Sequence, residues 1–398
     1  MNNIDELLTR GVDKIYPTRE ELEEVLISGK KLKVYQGFDP TGDKLHIGHM
    51  IGLRKLRDWQ RAGHEVIFLI GDFTGMVGDP SGKTTARKML SKEEVAKNAK
   101  SYIDQAGRIL SFDGENPVKI LYNSEWLAKL SAIEFIRISG LLSVQQVVER
   151  DLFQERQKQN QDIYMNEFLY PVMQAYDSVA MDVDIEIGGT DQMFNMLMGR
   201  KLMRHMLKKD KFVITTPLLT DSEGKKIGKT EGNIIGLTDE PAELYGKIMS
   251  LGDDVIVKGL QLLTDISTEE IKNISEKIMQ GINPIEFKKR LAFEIVKQLN
   301  NEEDADKAQS SFQSTVQNKE LPTNLPTYAY SSMASLSTVA MENMGTASVS
   351  EWKRLVEQGG VVWGEDKISD PNVKVSELSE EGKVLKVGKR NVVKIKNP

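Results

Sequence analysis

Residues 33–49 read Lys33-Val34-Tyr35-Gln36-Gly37-Phe38-Asp39-Pro40-Thr41-Gly42-Asp43-Lys44-Leu45-His46-Ile47-Gly48-His49. The segment Lys33–Phe38 is predicted to be a strand, and a short polar turn follows it. From Leu45 to Ala62 apolar residues recur at helical spacing, and Gly63 is expected to end this helix because glycine adopts the left-handed conformation easily. A strand that leads through a short turn into a helix is the repeating unit of a parallel α/β sheet.

Two further strands support this fold class. The segment Val66–Ile70 is predicted to be a buried strand, and Val118–Tyr122 is predicted to be a third strand that leads directly to Asn123. Ligands bind at the carboxyl edge of parallel sheets, so the side chain of Asn123 is expected at a binding site. The first half of the chain is therefore predicted to be an α/β domain.

A length of 398 residues predicts about two or three domains, because single hydrophobic cores stop growing above roughly 250 residues. The pattern becomes almost purely helical from Leu237 to about Ser314, and Val316–Ser335 contains prolines and small polar residues typical of a linker. Beyond it, a helix capped at Ser348 precedes predicted strands around Val361–Trp363 and Val384–Ile395. The predicted division is a catalytic domain 1–220, a helical domain 221–320, a linker 321–335 and a small α+β domain 336–398.

Composition limits the classes of function. The formal charge of −6 provides no general basic field, so any RNA contact must be local. The absence of cysteine excludes disulfides, thiolate zinc sites and cysteine nucleophiles, and it is consistent with the reducing cytoplasm. The first residues lack the basic flank and apolar core of a leader, and Val66–Ile70 is too short to span a bilayer. A cytoplasmic protein without a membrane partner is expected.

The two histidines of the opening stretch are candidates for binding a nucleotide. His46 and His49 lie three residues apart, so both imidazoles can point the same way on a first helical turn. Gly48 allows a flat ring to approach the backbone. The start of the helix is expected to offer unpaired N–H groups and a positive dipole end to phosphates.

A second basic element follows much later in the chain. The segment Gly224-Lys225-Lys226-Ile227-Gly228-Lys229-Thr230 is a polar loop with two glycines. The ammonium groups of Lys226 and Lys229 could close over a triphosphate and offset the charge that builds on leaving pyrophosphate. Taken alone, such a loop is usually a solvated basic turn.

Together, in this order and with a parallel sheet between them, the two elements resemble the signature motifs of class I aminoacyl-tRNA synthetases. The first motif is His46-Ile47-Gly48-His49, and the second, usually Lys-Met-Ser-Lys-Ser, is Lys226-Ile227-Gly228-Lys229-Thr230 here. The resemblance implies a Rossmann-type catalytic domain. Gly228 departs from the usual pattern and removes a side-chain hydroxyl, while both lysines are retained.

Three segments resemble the tyrosyl-tRNA synthetase family in particular: Tyr35–Thr41, Tyr170–Asp177 and Gly188–Gln192. Within the second segment Tyr170, Gln174 and Asp177 are spaced to share one helix face. The third segment departs from the family at the following residue, which is Met193 where Trp is usual. The family activates tyrosine with ATP and transfers it to tRNA(Tyr).

The resemblance implies roles for individual residues. Tyr35 and Asp177 would contact the substrate phenol, Tyr170, Gln174 and Asp79 its ammonium group, and Gln192 its carboxyl end. The tyrosine site implied in full is Tyr35, Asp79, Asn123, Tyr170, Gln174, Asp177 and Gln192. The ATP site implied is Gly37, Asp39, Thr41, His46, Gly48, His49, Gly189, Asp191, Lys226 and Lys229. Catalysis would rest on His46, His49, Lys226, Lys229 and Thr230, with Lys83 and Arg87 as pyrophosphate partners. Magnesium would accompany ATP, and no metal bound by the protein itself is expected.

The end of the chain is locally basic. Its stretches Trp352-Lys353-Arg354-Leu355, Gly359-Gly360-Val361 and Gly388-Lys389-Arg390-Asn391 resemble a ribosomal S-four-type RNA-binding domain. Six basic residues and no acidic residue lie among the last sixteen, and basic strands of this kind favour phosphate contacts. The implied RNA-binding residues are Lys353, Arg354, Lys386, Lys389 and Arg390.

The resemblance also implies a homodimer, for which Leu127–Val148 is apolar enough to form a helical interface or to serve as core. Three other functions remain open from the sequence. The nearest is a tryptophanyl-tRNA synthetase, against which Tyr35, Asp177 and the last domain argue. A simpler nucleotidyltransferase would need neither the tyrosine pocket nor the last domain. A non-catalytic RNA-binding paralogue would not need intact histidines and lysines in the two motifs.

Overall fold

The structure is a computed structural model that describes residues 4–79, 90–148, 151–227, 229–230, 233–314, 326–330, 333–344, 346, 348–364, 366–375, 384–388 and 391–396. The chain forms two compact units, Met1–Gln309 and Ser310–Pro398. The finer predicted division at residues 220, 320 and 335 stays a prediction.

The centre of the first unit is a six-stranded sheet. Its strands are β1 (Lys14–Tyr16), β2 (Lys33–Phe38), β3 (Glu65–Ile70), β4 (Lys119–Tyr122), β5 (Ile185–Gly189) and β6 (Phe212–Thr216). They lie in the order β1-β6-β5-β2-β3-β4. Only the edge strand β1 is antiparallel to its neighbour; β2, β3, β4, β5 and β6 pair in parallel. The predicted α/β class and the three predicted strands are confirmed.

Helices surround this sheet and continue beyond it. They are α1 (Ile4–Thr9), α2 (Arg19–Ile27), α3 (Ile47–Arg61), α4 (Thr74–Val77), α5 (Lys92–Ala106), α6 (Ser124–Leu127), α7 (Ala132–Ser139), α8 (Val144–Val148), α9 (Asp151–Lys158), α10 (Met165–Met181), α11 (Met193–Leu207), α12 (Pro241–Met249), α13 (Ile256–Leu263), α14 (Thr268–Met279), α15 (Ile285–Leu299) and α16 (Glu302–Phe312). Two short strands, β7 (Lys229–Thr230) and β8 (Asn233–Ile234), pair with each other. The run from α12 to α16 confirms the helical segment predicted from Leu237 onward.

Helix α3 begins two residues later than the pattern predicted. His46 has an extended backbone with φ −128° and caps the helix, so the first helical residue is Ile47 rather than Leu45. The end agrees with the prediction, since Gly63 follows the helix with φ +88°. The predicted apolar stripe is buried, including Met50, Leu53 and Trp59. This packing fixes the start of the helix above the end of β2.

The second unit is a small α+β domain. Its elements are β9 (Thr327–Ala329), α17 (Leu336–Asn343), α18 (Val349–Glu357), β10 (Val361–Trp363), β11 (Asp366–Lys367), β12 (Val384–Val387) and β13 (Asn391–Lys396). The strands form one sheet in the order β11-β10-β12-β13-β9. Its core contains Trp352, Val361 and Leu385. Ser348 accepts a hydrogen bond from the backbone of Glu351, as its spacing predicted.

Strand β9 lies inside the segment 321–335 that was predicted to be a linker. Thr327–Ala329 pairs in parallel with β13, which places it at one edge of the sheet. Its single partly buried side chain, Tyr328, packs against the core of this unit. So short a strand has too few alternating apolar residues to show a pattern, so the prolines and small polar residues around it predicted a linker instead.

Among the described residues, no helix is long and apolar enough to cross a membrane.

Candidate active site

A cavity of about 690 Å³ opens at the carboxyl edge of the sheet in the first unit. It lies beyond the ends of β2, β3 and β5, where the geometry of a parallel sheet predicts a ligand. Its wall includes every residue predicted for the tyrosine and ATP sites whose side chain the structure describes. These residues are Tyr35, Gly37, Asp39, Thr41, His46, Gly48, His49, Asp79, Asn123, Tyr170, Gln174, Asp177, Gly189, Asp191, Gln192 and Lys226.

The two histidines form a compact pair at the start of α3. Their ring centroids lie 3.9 Å apart. The Nδ1 of His49 accepts the backbone N–H of His46 at 3.1 Å, and the Nδ1 of His46 accepts that of Gly48 at 3.1 Å. In each neutral ring the proton is therefore on Nε2, which makes that atom the donor. A Cβ on Gly48 would lie 3.0 Å from the ring of His46, so glycine is what allows this ring to lie against the backbone.

The expectation of unpaired N–H groups at this helix start is wrong. The N–H of Ile47 donates to the carbonyl of Ile235 at 2.9 Å, and that of His49 donates to the carbonyl of His46. The N–H of Gly48 is bound by the His46 ring. A nucleotide here would meet the imidazole side chains, because backbone carbonyls and the ring of His46 already accept from these N–H groups.

The second basic element reaches the same cavity. The Nζ of Lys226 donates to Oδ2 of Asp191 at 2.8 Å, across the cavity wall. Backbone pairing joins the segment that follows this element to the residues just before α3, since His46 bridges to Gly236 and the N–H of Leu237 donates to the carbonyl of Leu45. Two basic elements distant in sequence therefore converge on one cavity, as the sequence predicted.

A buried polar pocket forms one end of the cavity. Oδ1 of Asp177 accepts the Nε1–H of Trp126 at 2.7 Å, and Oδ2 accepts the amide of Asn123 at 3.2 Å. Burial raises the pKa of Asp177 well above its usual range, while these two N–H donors act in the opposite direction. Burial likewise raises the pKa of Tyr35, and the charge of Glu186 raises it further. Tyr35 and Asp177 are 1% and 3% exposed, so water does not compete for their polar atoms.

A second group lies beside this pocket, next to the end of β2. The hydroxyl of Tyr170 donates to Oδ2 of Asp39 at 2.7 Å, and that of Thr74 donates to Oδ1 at 2.7 Å. Burial raises the pKa of Tyr170, and the neighbouring charge of Asp39 raises it further. The phenol of Tyr170 is thus neutral, and its oxygen remains able to accept a hydrogen bond.

A chain of amides connects the middle of the cavity. Gln174 donates to Glu186 at 3.2 Å and accepts from Asn195 at 2.9 Å. Asn195 also donates to Gln192 at 3.0 Å, and Gln192 donates to Asp79 at 2.7 Å. The nitrogen and the oxygen of Gln174 each have a partner of the opposite kind, so these bonds fix which atom of its amide faces which way. Oδ1 of Asn195 is buried without a partner in the part of the chain that the structure describes.

Several residues of the site had no signal in the motifs. They include Trp126, Thr74, Asn195, Ser178, Glu186 and Lys211, of which the last three form a buried cluster behind Tyr35. Burial lowers the pKa of Lys211, and its contact with Glu186 acts in the opposite direction. An acidic residue between Ile185 and Ile187 in a buried strand was the available signal, because an acid there requires a buried partner.

The remaining predicted residues divide into three sets. Lys83, Arg87, Gly228, Lys389 and Arg390, together with the side chains of Lys229 and Thr230, lie outside what the structure describes. In the second unit, Lys353 and Arg354 are exposed on α18, and Lys386 is partly exposed on β12. Met193, where the family usually has Trp, has its sulfur 2.9 Å from the hydroxyl of Tyr16.

Solved structures of similar fold include tyrosyl-tRNA synthetases. A C-terminally truncated mitochondrial tyrosyl-tRNA synthetase from Aspergillus nidulans has a TM-score of 0.65 at 24% identity, over 78% of this chain and 93% of that chain. The enzyme from Archaeoglobus fulgidus, solved with L-tyrosine, has a TM-score of 0.61 at 21% identity, over 77% of this chain and 100% of that chain. At these identities the similarity establishes the fold.

Sequence comparison is more specific. A tyrosine–tRNA ligase from Carboxydothermus hydrogenoformans is 42% identical over 98% of this chain and 97% of that protein. One from Haemophilus influenzae is 41% identical over 100% of this chain and 97% of that protein. The family model described as tRNA synthetases class I (W and Y) matches residues 28–317. The chain therefore belongs to the class I tRNA synthetases of the tryptophan and tyrosine group.

Proposed function

We propose that the chain is a tyrosine–tRNA ligase that activates L-tyrosine with ATP and transfers the tyrosyl group to tRNA(Tyr), and that it works in the cytoplasm. The observation that carries the proposal is the single cavity described above. One end holds a buried hydroxyl and a buried carboxyl group, Tyr35 and Asp177, and the other end holds His46, His49 and Lys226. A phenol and a triphosphate can therefore be bound side by side.

The amino acid would be held by its three polar groups. Its phenol would contact Tyr35 and Asp177, its ammonium group would lie near Tyr170, Gln174 and Asp79, and its carboxylate would face Gln192. Asn123 supports Asp177 from behind. Phenylalanine would leave the buried groups at the phenol end unpaired, and a site built in this way rejects the smaller analogue strongly. The discrimination of tyrosine from phenylalanine by such synthetases is a known example of this effect.

ATP, accompanied by Mg²⁺, would lie at the other end of the cavity. The nucleotide would pack along Gly37, Thr41, Gly48 and Gly189, with Asp39 and Asp191 as acceptors for ammonium or ribose groups. The tyrosine carboxylate oxygen forms a bond to the α-phosphorus as the bond to the β-phosphate oxygen breaks. His46, His49 and Lys226 would stabilise the charge on the phosphates, and no side chain needs to act as a nucleophile. Lys229, Thr230, Lys83 and Arg87 are proposed partners of the pyrophosphate.

The second step transfers the tyrosyl group to the tRNA. The terminal ribose hydroxyl of the tRNA attacks the carbonyl carbon of tyrosyl adenylate, an ester bond forms, and AMP leaves. In this structure the ammonium group of Lys226 donates a hydrogen bond to the carboxylate of Asp191. Because that carboxylate is a proposed ribose ligand, Lys226 would exchange it for phosphate oxygens when ATP binds.

Exchange of labelled pyrophosphate into ATP, measured with each amino acid in turn, tests this function. Tyrosine alone is expected to support exchange, and tRNA(Tyr) is expected to be charged. Exchange with tryptophan instead would identify the sister activity of the same family. Exchange without any amino acid would indicate a simpler nucleotidyltransferase, and no exchange at all would indicate a non-catalytic relative.

The second unit is the proposed RNA-binding element. Lys353 and Arg354 lie next to each other on the exposed side of α18, opposite the buried Trp352. Replacing both with Ala is expected to lower kcat/KM for tRNA by about tenfold, because two phosphate contacts are lost. The slope of log(kcat/KM) against the logarithm of the salt concentration is expected to become shallower by roughly 1 to 2. Charging assays over a range of salt concentrations measure both quantities. Pyrophosphate exchange is the internal control, and an equal loss there would contradict a role confined to RNA.

A homodimer is proposed through the predicted segment Leu127–Val148. Ile138 of α7 and Val147 of α8 belong to the core, while Ile136 of α7 and Val144 at the start of α8 are 65% and 68% exposed. Exposed apolar residues clustered in this way mark an interaction surface. Ile136→Glu is expected to convert the dimer to a monomer, as measured by light scattering after size exclusion. Met279→Glu, at a similarly exposed apolar residue on α14, is the matched control, and an unchanged dimer in Ile136→Glu would contradict the assignment.

A further inference from the structure

A fully buried lysine lies behind the phenol end of the cavity. Lys211 is 1% exposed, and its Nζ donates to the carboxylate of Glu186 and to Oγ of Ser178, the latter at 2.6 Å. A Cβ on Gly199 would lie 2.6 Å from this Nζ and 2.9 Å from the Ser178 oxygen. Glycine at that position leaves the room that the ammonium group occupies. A buried ion pair costs desolvation energy, so its place beside the site calls for a role there.

The ammonium group determines the direction of the next hydrogen bond. Because Lys211 can only donate, Oγ of Ser178 must accept from it. The single hydroxyl proton of Ser178 then has two possible acceptors. The Tyr35 oxygen lies 2.8 Å away, while Oε2 of Glu186 lies 3.3 Å away and already accepts from Lys211. The shorter contact favours donation from Ser178 to Tyr35.

The chemistry of a phenol requires the same direction. A phenol has one proton, and Asp177, whose two oxygens already accept N–H donors, is its acceptor in the proposed site. If Tyr35 donated to Ser178, the oxygen of Tyr35 would have to accept from the substrate hydroxyl. The single proton of the substrate phenol would then have two acceptors, Tyr35 and Asp177. If Tyr35 accepts from Ser178, its own proton, which faces the carboxylate of Glu186 in this structure, can turn to the substrate oxygen. Every donor and acceptor is then matched.

We propose that Lys211 and Ser178 are positioning residues that set specificity for a phenol. Hydrogen bonds run in one direction from Lys211 to Ser178, to Tyr35, to the substrate hydroxyl and to Asp177. This inference rests on the proposed function. The chain begins at a cation and ends at a carboxyl group, so each bond polarises the next and strengthens it. Phenylalanine has no hydroxyl group, so it breaks this series of hydrogen bonds between Tyr35 and Asp177.

Ser178→Ala is the direct test, because it removes the link and leaves the Lys211 and Glu186 pair in place. The kcat/KM values for tyrosine and phenylalanine are measured by pyrophosphate exchange. The ratio of the two is expected to fall by about tenfold through the tyrosine value alone, the size expected for one buried hydrogen bond. The KM for ATP should not change. Ser250→Ala, the same substitution at an exposed helix end outside the cavity, is the matched control.

Two further variants separate positioning from structural support. In a Tyr35→Phe background, Ser178→Ala is expected to cause no additional loss, because the substitutions break the same chain. Lys211→Met combined with Glu186→Gln removes both buried charges and is expected to lower the ratio as Ser178→Ala does. Three results for Ser178→Ala would contradict the proposed series of hydrogen bonds. They are an unchanged ratio of the tyrosine and phenylalanine kcat/KM values, an equal loss of kcat/KM with both amino acids, and an undiminished effect in the Tyr35→Phe background. If Lys211→Met with Glu186→Gln does not fold, the Ser178→Ala cycle decides alone. A wild-type enzyme without tyrosine-dependent exchange would instead refute the proposed function itself.

Discussion

Asp177→Asn is expected to lower kcat/KM for tyrosine by about 10²- to 10³-fold and to change that for phenylalanine by less than about threefold. Loss of one partner from a buried, charge-assisted hydrogen bond has an effect of this size. The local geometry increases it. Trp126 and Asn123 direct N–H donors at the two oxygens of Asp177, so the amide nitrogen of Asn would face a donor in either orientation. Discrimination between the two amino acids should largely disappear.

Pyrophosphate exchange with each amino acid measures this prediction, and the KM for ATP should remain close to the wild-type value. Asp306→Asn on the exposed side of α16 makes the same chemical change away from the cavity and serves as control. Thermal unfolding of both variants separates loss of recognition from loss of fold. Equal losses for tyrosine and phenylalanine in a folded Asp177→Asn protein would contradict phenol recognition by this carboxylate.

Lys226→Met is expected to lower kcat for tyrosyl adenylate formation by about 10- to 100-fold with little change in the KM for tyrosine. The ammonium group would stabilise charge that develops on the leaving pyrophosphate, and a group used mainly in the transition state affects kcat. The lower part of the usual range applies because the Lys226 side chain is 50% exposed. Rapid-quench measurement of adenylate formation isolates this step from transfer to tRNA.

Lys225→Met is the closest available control. Lys225 is the preceding residue, and its side chain is exposed and does not line the cavity, whereas that of Lys226 does. A comparable loss in both variants would show that the effect is a general loss of positive charge in the loop. A loss confined to the KM for ATP in Lys226→Met would assign the residue to ground-state binding only.

The fold was predictable where local pattern and tertiary packing agree. Strand β2 and β10 have the predicted bounds, and β3 and β4 differ from prediction by one residue at the start. The start of α3 was less predictable, because the imidazole of His46 replaces the more usual capping side chains. Strand β9 had no signal, since its pairing with β13 depends on a segment far along the chain.

The cavity was predictable because its residues lie in short motifs whose position on strand ends or one helix face follows from spacing. Partners across the site were not. The bond from Trp126 to Asp177, the ion pair of Lys211 with Glu186, and the bond from Ile47 to Ile235 each join elements distant in sequence. Spacing along one helix or strand carries no information about such pairs, so the partners appear only when the sheet is assembled.

The hydrogen bonds of the site have a consequence for redesign. The cluster behind Tyr35 joins the amide chain through Glu186, which accepts from both Lys211 and Gln174. The same series continues through Asn195 and Gln192 to Asp79. The ring end and the amine end of the amino acid are thus held by one connected framework. Substitutions that reshape the pocket for an altered ring should therefore also weaken binding of the ammonium and carboxylate groups of the amino acid. Compensating substitutions are to be sought near Gln174 rather than beside the ring.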